Sequence, residues 1–549
     1  MLSEPLLPPL LEALRQPRAY DHPVDAIELL ETHISWVLLT GPYAYKIKKP
    51  VALGFLDFSS LELRRRCCDE EVRLNRRLAP ELYLGVVAIH GPAPEAHFGG
   101  EGEVIEVAVK MRQFPQESLL STCLARIAPQ GDLFDRLADD LASFHASADR
   151  AAAASSYGLP AQLLQPAEAN LEVLARAAAA GLVGVDPALL EELRHWTLTC
   201  WQQLGPRFLQ RRREGRILEG HGDLHLANMA WLDGRIVVFD CLEFSPALRW
   251  IDGISDLAFL AMDLHHRGQR QLGGRVLNRW LEANGDYEGL HLWRWYVVYR
   301  ALVRAKVAAL RLDQQRATGL SAAAVEPSSS SAGELLAYLQ LAERTIRSRP
   351  AALVLTHGVS GSGKSHLARR LCHHFGWIHL RSDAERLRLF GRWGFPGEPP
   401  LQGDPYRSEI SALLYRQRLP AAAEAALEAG FGVVVDATFL EAGHRQRFRD
   451  LAERLAVPLV LLDCRCDPEQ ARRRIQARAL AGGDPSEADL AVLERQLLKR
   501  QPLSGPELAA ALVVETGADE AEQWSTLLRC LEQRLDPERL HPEQLGSSP

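Results

Sequence analysis

Residues 221–228 read HGDLHLAN, and residues 235–240 read RIVVFD. Asp223 and Asn228 stand five apart in the first stretch, and the second is a short apolar run ending on Asp240. A carboxylate, an amide and a second carboxylate in this order suit phosphoryl transfer. The first can orient an acceptor hydroxyl and take its proton late, while the amide and the strand-end carboxylate grip Mg²⁺ on a nucleotide. His221 reads as a loop-fixing residue, His225 stays open, and Glu243 in DCLEF could approach the metal or cap a turn. The upstream stretch LLTGPYAYKIKK (38–49) offers a single glycine, Gly41.

Outward from this loop, HISWVLLT (33–40), YAYKIKK (43–49) and VIEVAVKM (104–111) alternate with period two and predict half-buried strands. LELRRRCCDEEVRLNRRLA (61–79) carries Leu and Val at helical spacing. From 132 to about 210 the chain is Ala- and Leu-rich and predicts helix, and long helices follow the loop to about 314. RATGLSAAAVEPSSSSAGE (316–334) has linker composition and is expected to separate two halves that can be cut apart. Beyond it AALVLTHG, GWIHLRSD, GVVVDATF and VPLVLLDCR are short apolar runs, each followed by a helical stretch, the signature of a parallel sheet. The expected organisation is 1–315, a linker 316–334, 335–535, and a polar tail 536–549.

In the second half GVSGSGKS, Gly358 to Ser365, matches GxxxxGKS between a predicted strand and a predicted helix. Gly358, Ser360, Gly361, Ser362 and Gly363 would let backbone N–H groups wrap phosphates, with Lys364 adding charge and Ser365 a magnesium ligand. Asp436 ends the VVVD strand, where a second metal-side acid would sit. Asp383 and Arg386 in RSDAERLR could serve as base and anion clamp, or Ser382 or Asp383 could cap the helix. Arg474 and Arg478 share a helical face and could neutralise charge on a transferred group, or form a solvated basic face. Together these motifs resemble the P-loop kinases that include gluconate-kinase-like and zeta-toxin-like domains.

The first half resembles the aminoglycoside phosphotransferase family, relatives of the protein kinases whose members often lack a glycine-rich loop. The implied fold is a bilobal kinase-like domain followed by a P-loop α/β domain, and the implied cofactors are ATP and Mg²⁺ at two sites. The resemblance implies a Lys–Glu pair on the nucleotide. Lys46 and Lys48 share a strand face and parity does not separate them; the Tyr-Lys-Ile setting favours Lys46, and Glu71 is preferred to Glu70. Lys110 in VAVK falls too late in the order of elements, so VAVKMRQF is read as a hinge strand whose backbone at Met111 to Gln113 would bond adenine. The pairing of both halves resembles bifunctional aminoglycoside phosphotransferase/ATP-binding proteins.

A net charge of −7 disfavours a nucleic-acid end as acceptor and leaves a small hydroxyl-bearing molecule. Nine Cys without recurrent spacing predict reduced thiols, and the N-terminus lacks a basic leader, so a cytoplasmic protein is expected, with no membrane partner. The alternatives are one active P-loop kinase regulated through the other half, or a nucleotide-gated interaction protein.

Overall fold

The computed structural model describes residues 7–53, 56–181, 185–317, 331–347, 352–395, 399–481, 484–516 and 520–535. Most of the expected linker and the expected tail lie outside the described residues. The chain forms two compact units, Met1–Gly158 with Arg212–Asp256, and Leu159–Arg211 with Leu257–Pro549. Neither unit begins or ends in the linker. Ser331–Glu334, read as its last residues, form the first turn of helix Ser331–Arg347. That helix buries Leu335, Tyr338, Leu339, Leu341 and Ala342 at helical spacing. Tyr338 donates its hydroxyl to Asp263 Oδ1 at 3.1 Å, and Arg294 of the preceding helix Trp293–Ala317 donates to the Thr345 carbonyl at 2.9 Å.

The first unit is built on six antiparallel strands, β1 (Glu28–Glu31), β2 (Ser35–Leu39), β3 (Tyr43–Lys48), β4 (Tyr83–His90), β5 (His97–Phe98) and β6 (Val104–Arg112), arranged β1-β2-β3-β6-β4-β5. Gly41, at φ +97°, and Pro42 close the β2–β3 hairpin, with the Thr40 N–H donating to the Tyr43 carbonyl at 2.9 Å. A tight turn with positive φ at its first central residue asks for glycine there. On β3, Tyr45 and Ile47 join Trp36, Leu38 and Ala108 in one core. The period of two sends Lys46 and Lys48 to the other face, towards helix Leu61–Asn75. Ser60 caps that helix by accepting the Leu63 N–H, and buried Arg64 pairs with Glu106 of β6 at 2.7 Å. Glu71 lies two turns along the same face.

The second unit carries a five-stranded parallel sheet of β7 (Leu353–His357), β8 (Ile378–Arg381), β9 (Val433–Asp436), β10 (Leu459–Arg465) and β11 (Leu512–Glu515), in the order β8-β9-β7-β10-β11. Its central strands are buried end to end, as a sheet covered on both faces demands. Four of the five were legible as apolar runs; β11, with alternate residues exposed, was not. Among the described residues no helix is long and apolar enough to cross a membrane, and all nine cysteines are free thiols.

Because helix Ser331–Arg347 is buried against the helix before the linker, a protease site engineered into residues 318–330 should give two fragments that stay associated in native buffer. Co-elution on size exclusion after complete cleavage is the expected outcome. Separation into two independently soluble pieces would contradict it.

Candidate functional sites

In the first unit a two-residue turn folds the chain after the HGDLHLAN loop back towards Asn228. Strand Met229–Leu232 pairs with Arg235–Val238 through Asp233 and Gly234, whose φ values are +49° and +76°. Asp-Gly is a favoured pair for such a turn. The Phe239 N–H donates to the Asn228 carbonyl at 3.0 Å, which sets Asn228 beside the residue preceding Asp240. Asp240 itself is left-handed, at φ +60°, a conformation that a non-glycine residue holds only when its surroundings fix it.

The loop before this hairpin is tied down by a residue that sequence reasoning missed. Asp256 accepts the N–H groups of His221 (2.8 Å) and Gly222 (3.0 Å). It sits 35 residues away at the start of helix Gly253–His266, and an acid in a first helical turn carries no sign of that partner. His221 behaves as read: Nδ1 accepts the Asp223 N–H, so Nε2 donates to the Phe239 carbonyl at 2.9 Å. Burial lowers its pKa. His225 resolves likewise, with Nδ1 accepting the Ala227 N–H and Nε2 facing Asp223 Oδ2 at 3.3 Å. Asn228 Nδ2 donates to the Asp223 carbonyl (3.0 Å) and to Asp223 Oδ2 (2.9 Å), which directs its own carbonyl oxygen away from Asp223.

Above the loop lies a chain of five charges. Lys46 Nζ donates to Glu71 Oε1 (2.8 Å) and Asp240 Oδ1 (2.6 Å); Lys48 Nζ donates to Glu71 Oε2 (2.6 Å) and to Glu243. Both lysines therefore hold Glu71, but only Lys46 reaches Asp240. Glu70 turns away to Arg73 and Arg249. Glu243 is the buried partner of Lys48, and of its two readings the structure gives no turn-capping bond among the described residues. Burial alone would raise the Glu71 carboxyl, yet the charges and hydrogen bonds of Lys46 and Lys48 bring it down to about 2. For Glu243 burial wins, and its pKa is raised.

The hinge reading needs correction. Met111 lies inside the sheet, opposite Ala44 on one side and Tyr83 on the other, where strand neighbours consume backbone donors. The Arg112 N–H donates to the Leu82 carbonyl and the Gln113 N–H to the Pro42 carbonyl. What Met111 offers is a partly buried side chain packed against the core that Val72, Tyr83, Val109 and Val237 form. Lys110 is peripheral, stacked 4.2 Å over the Tyr43 ring.

In the second unit the loop after β7 opens a cleft of about 300 Å³. Ser360, Gly361, Gly363, Lys364 and Ser365 line one wall, with Asp383, Arg386, Asp436, Arg474 and Arg478 on the others. Gly358 and Ser362 lie just beneath: a Cβ on Gly358 would come within 2.6 Å of both Ser362 Oγ and the Cys464 carbonyl, so the loop tolerates only glycine there. Lys364 Nζ donates to the Val359 carbonyl at 2.7 Å, and burial lowers its pKa. Helix Ser382–Arg388 has no side-chain cap, which removes the capping alternative for Ser382 and Asp383. Arg386 donates to the Pro405 carbonyl and Ser411 Oγ. Arg474 donates to Thr516 and the Gly361 carbonyl, and Arg478 to the Ala488 carbonyl, whereas Arg472 pairs outward with Glu469 and Glu494. The solvated part of this helix is carried by Arg472 and the exposed Arg473 rather than by Arg474 and Arg478.

Asp436 ends β9 as expected, and His379 Nε2 meets its Oδ2 at 3.1 Å. Burial would raise its carboxyl, but His379, Arg381 and Lys364 hold it down to about 2. His379 and Arg381, both on β8, were not foreseen. A second cavity of about 430 Å³, lined by Leu367, Trp524 and Leu527, shares Gly363, His366 and Arg474 with the cleft.

A family profile described as "Phosphotransferase enzyme family" matches residues 57–293, and one described as "AAA domain" matches residues 353–503. Uncharacterized protein Rv2004c of Mycobacterium tuberculosis is 31% identical over 473 residues, 86% of this chain and 90% of that protein, and uncharacterized protein Mb2027c of Mycobacterium bovis matches equally. A choline/ethanolamine kinase family protein from Mesorhizobium loti is similar at 12% identity, covering 61% of this chain and 96% of that one with a TM-score of 0.37. A gluconokinase from Sinorhizobium meliloti is similar at 22% identity, covering 34% and 96% with a TM-score of 0.24.

Replacing Lys48 by Met should leave Glu243 buried without its lysine and Glu71 with Lys46 alone. Removing one partner of a buried ion pair costs about 3–5 kcal/mol, to be read from urea unfolding. The pH dependence has a fixed sign. A carboxyl held near 2 in the folded protein, against about 4.3 when unfolded, stabilises fully above that unfolded value and loses its contribution as pH falls through the folded one. Glu71→Gln should therefore flatten the loss of stability between roughly pH 4.5 and pH 2. An unchanged acid limb would contradict the paired state of Glu71.

Proposed function

Since the chain belongs to the same family as these mycobacterial proteins, with a phosphotransferase-family half and a P-loop half, we propose that it is an ATP-dependent phosphotransferase with two nucleotide sites, each passing a γ-phosphoryl group to a hydroxyl of a small-molecule acceptor. One observation carries this reading: Lys46 is held between Glu71 and Asp240, and the Phe239 N–H bond to the Asn228 carbonyl brings Asp240 next to the Asp223–Asn228 loop. A lysine fixed by a helix carboxylate is what a kinase cleft uses to place nucleotide phosphates.

The donor atoms suit Mg²⁺ in both clefts. Asp240 supplies a carboxylate and Asn228 the carbonyl oxygen that its amide bonds to Asp223 leave pointing away; Ser365 and Asp436 supply a hydroxyl and a carboxylate. These are hard oxygen ligands, few in number, as an ion that also binds substrate phosphates requires. When bound, the ion neutralises phosphate charge. The protein's own contribution is position. Asp223, oriented by the His225 and Asn228 donors, receives the acceptor's proton in the first cleft. In the second, Asp383 faces the acceptor, Arg386 holds an anionic group on it, and Arg474 and Arg478 offset charge on the transferred group. The cavity lined by Leu367, Trp524 and Leu527 takes the nucleoside end.

An unbiased metabolite screen for ATP-dependent phosphorylation, on the wild type and on Asp223→Asn and Lys364→Ala, tests the reading. Asp223→Asn should lower transfer at the first cleft by at least about 10²-fold while ATP·Mg still binds there. Lys364→Ala should abolish transfer at the second. Full transfer by both variants would overturn the assignment.

A further inference from the structure

The residues lining the P-loop cleft all fall within 353–503, but one of them, Arg381, is held from behind by a helix outside that span. Arg381, the last residue of β8, stands in register with Asp436 of β9. Its Nη1 donates to Glu282 Oε1 at 3.2 Å and its Nη2 to Asp484 Oδ2 at 3.0 Å, while its Nε stays 3.9 Å from Asp436 Oδ2, beyond hydrogen-bond distance. Side-chain exposure is 7% for Arg381, 5% for Asp436 and 12% for Glu282, so little water screens the three charges. In such surroundings a guanidinium is drawn to every carboxylate in reach, and its planar fork settles on those that fix two of its edges. Glu282 and Asp484 fix two edges, and Asp436 is left for other work.

We propose that helix Arg270–Asn284 is a working part of the P-loop cleft, and that Glu282 is a positioning residue which holds Arg381 off Asp436 so that this carboxylate stays available to a nucleotide-bound cation. The proposal rests on the reading of this cleft as a nucleotide site. Glu282 falls within residues 57–293, the span of the phosphotransferase match, and outside 353–503. The helix is fastened to the cleft at three further points. Asn278 completes the open edge of β8, its Oδ1 accepting the His379 N–H at 2.7 Å and its Nδ2 donating to the Trp377 carbonyl at 2.8 Å. Arg388 donates to the Glu282 and Ala283 carbonyls at 2.5 and 2.7 Å, satisfying the end of the helix. The Phe395 N–H donates to the same Ala283 carbonyl at 2.8 Å. His379, whose backbone Asn278 grips, is the residue whose ring bonds Asp436. Two side chains at the Asp436 carboxylate, His379 and Arg381, are thus set by one helix.

The test uses the full chain carrying Asp240→Asn to silence the first cleft, with Lys364→Ala as the control that assigns the signal to the P-loop. Calorimetric affinity for a non-hydrolysable ATP analogue is measured across a Mg²⁺ series and without Mg²⁺, for Glu282→Ala, the isosteric Glu282→Gln and Glu282→Asp. Loss of the residue that orients a ligand's neighbour should raise the Mg²⁺ concentration for half-maximal affinity about tenfold, leave the metal-free affinity unchanged, and be largely rescued in Glu282→Asp. An unaltered Mg²⁺ dependence in both Ala and Gln variants overturns the proposal. So does an equal loss with and without Mg²⁺, which marks a purely structural helix. If the Asp240→Asn chain binds no analogue at all, the nucleotide reading of the cleft fails first and the proposal falls with it.

Discussion

The first unit depends on how one carboxylate is divided. Glu71 is fully buried, and each of its oxygens belongs to a different lysine. Neither bond is dispensable, because a buried carboxylate with an empty side must either protonate or move. The Lys48 side closes a dry network with Glu243, three residues beyond Asp240, and anchors the loop that carries Asp240. The Lys46 side opens on Asp240, which is 40% exposed at its side chain. One half of the pair is therefore scaffold and the other half faces the cleft. The hairpin, the capped helix and the Arg64–Glu106 bond all serve to bring these five groups to one place.

The second unit solves a related problem with a different economy of charge. Asp436 is buried among His379, Arg381 and Lys364, and the structure keeps the strongest hydrogen-bond donor among them at a distance. Both units thus surround a functional carboxylate with cations and then restrain the cations. Restraint comes from residues remote in sequence, which is why neither profile match describes it in full.

Legibility followed sequence distance. Asp223, Asn228 and Asp240 were readable because an eight-residue loop and a two-residue turn place them locally, and the P-loop because its glycines, lysine and serine are contiguous. Strand parity puts Lys46 and Lys48 on one face and so did not separate them; Lys46 was preferred only for its Tyr-Lys-Ile setting, and in the structure both bond Glu71 while Lys46 also bonds Asp240. Asp256 and Glu282 were invisible, and Glu243 was visible without its partner Lys48: each meets a group brought near by packing, and nothing in their neighbours announces it. The hinge reading at Met111 failed for a similar reason. Strand β4, which flanks it, alternates too weakly to be foreseen, and without it Met111 looks like a free edge. The unit boundaries escaped because linker composition marks where the chain lacks a core, whereas the helix after it carries apolar residues that bury against the one before.

The Gly41-Pro42 turn has a bearing on how each cleft would hold an anion. It is too short to wrap phosphates, and the one N–H at its tip is spent, Gly41 donating to Gln113 Oε1 at 2.9 Å. On the proposed reading an anion at the first site is left to side-chain charge, and the lysine there, Lys46, is only 14% exposed and already bonds two carboxylates. The P-loop instead presents backbone N–H groups at a helix start in a cleft whose lysine is buried. The two sites would therefore grip an anion by different means, the first through one lysine that two carboxylates already balance, the second through backbone dipoles fixed in direction by the fold.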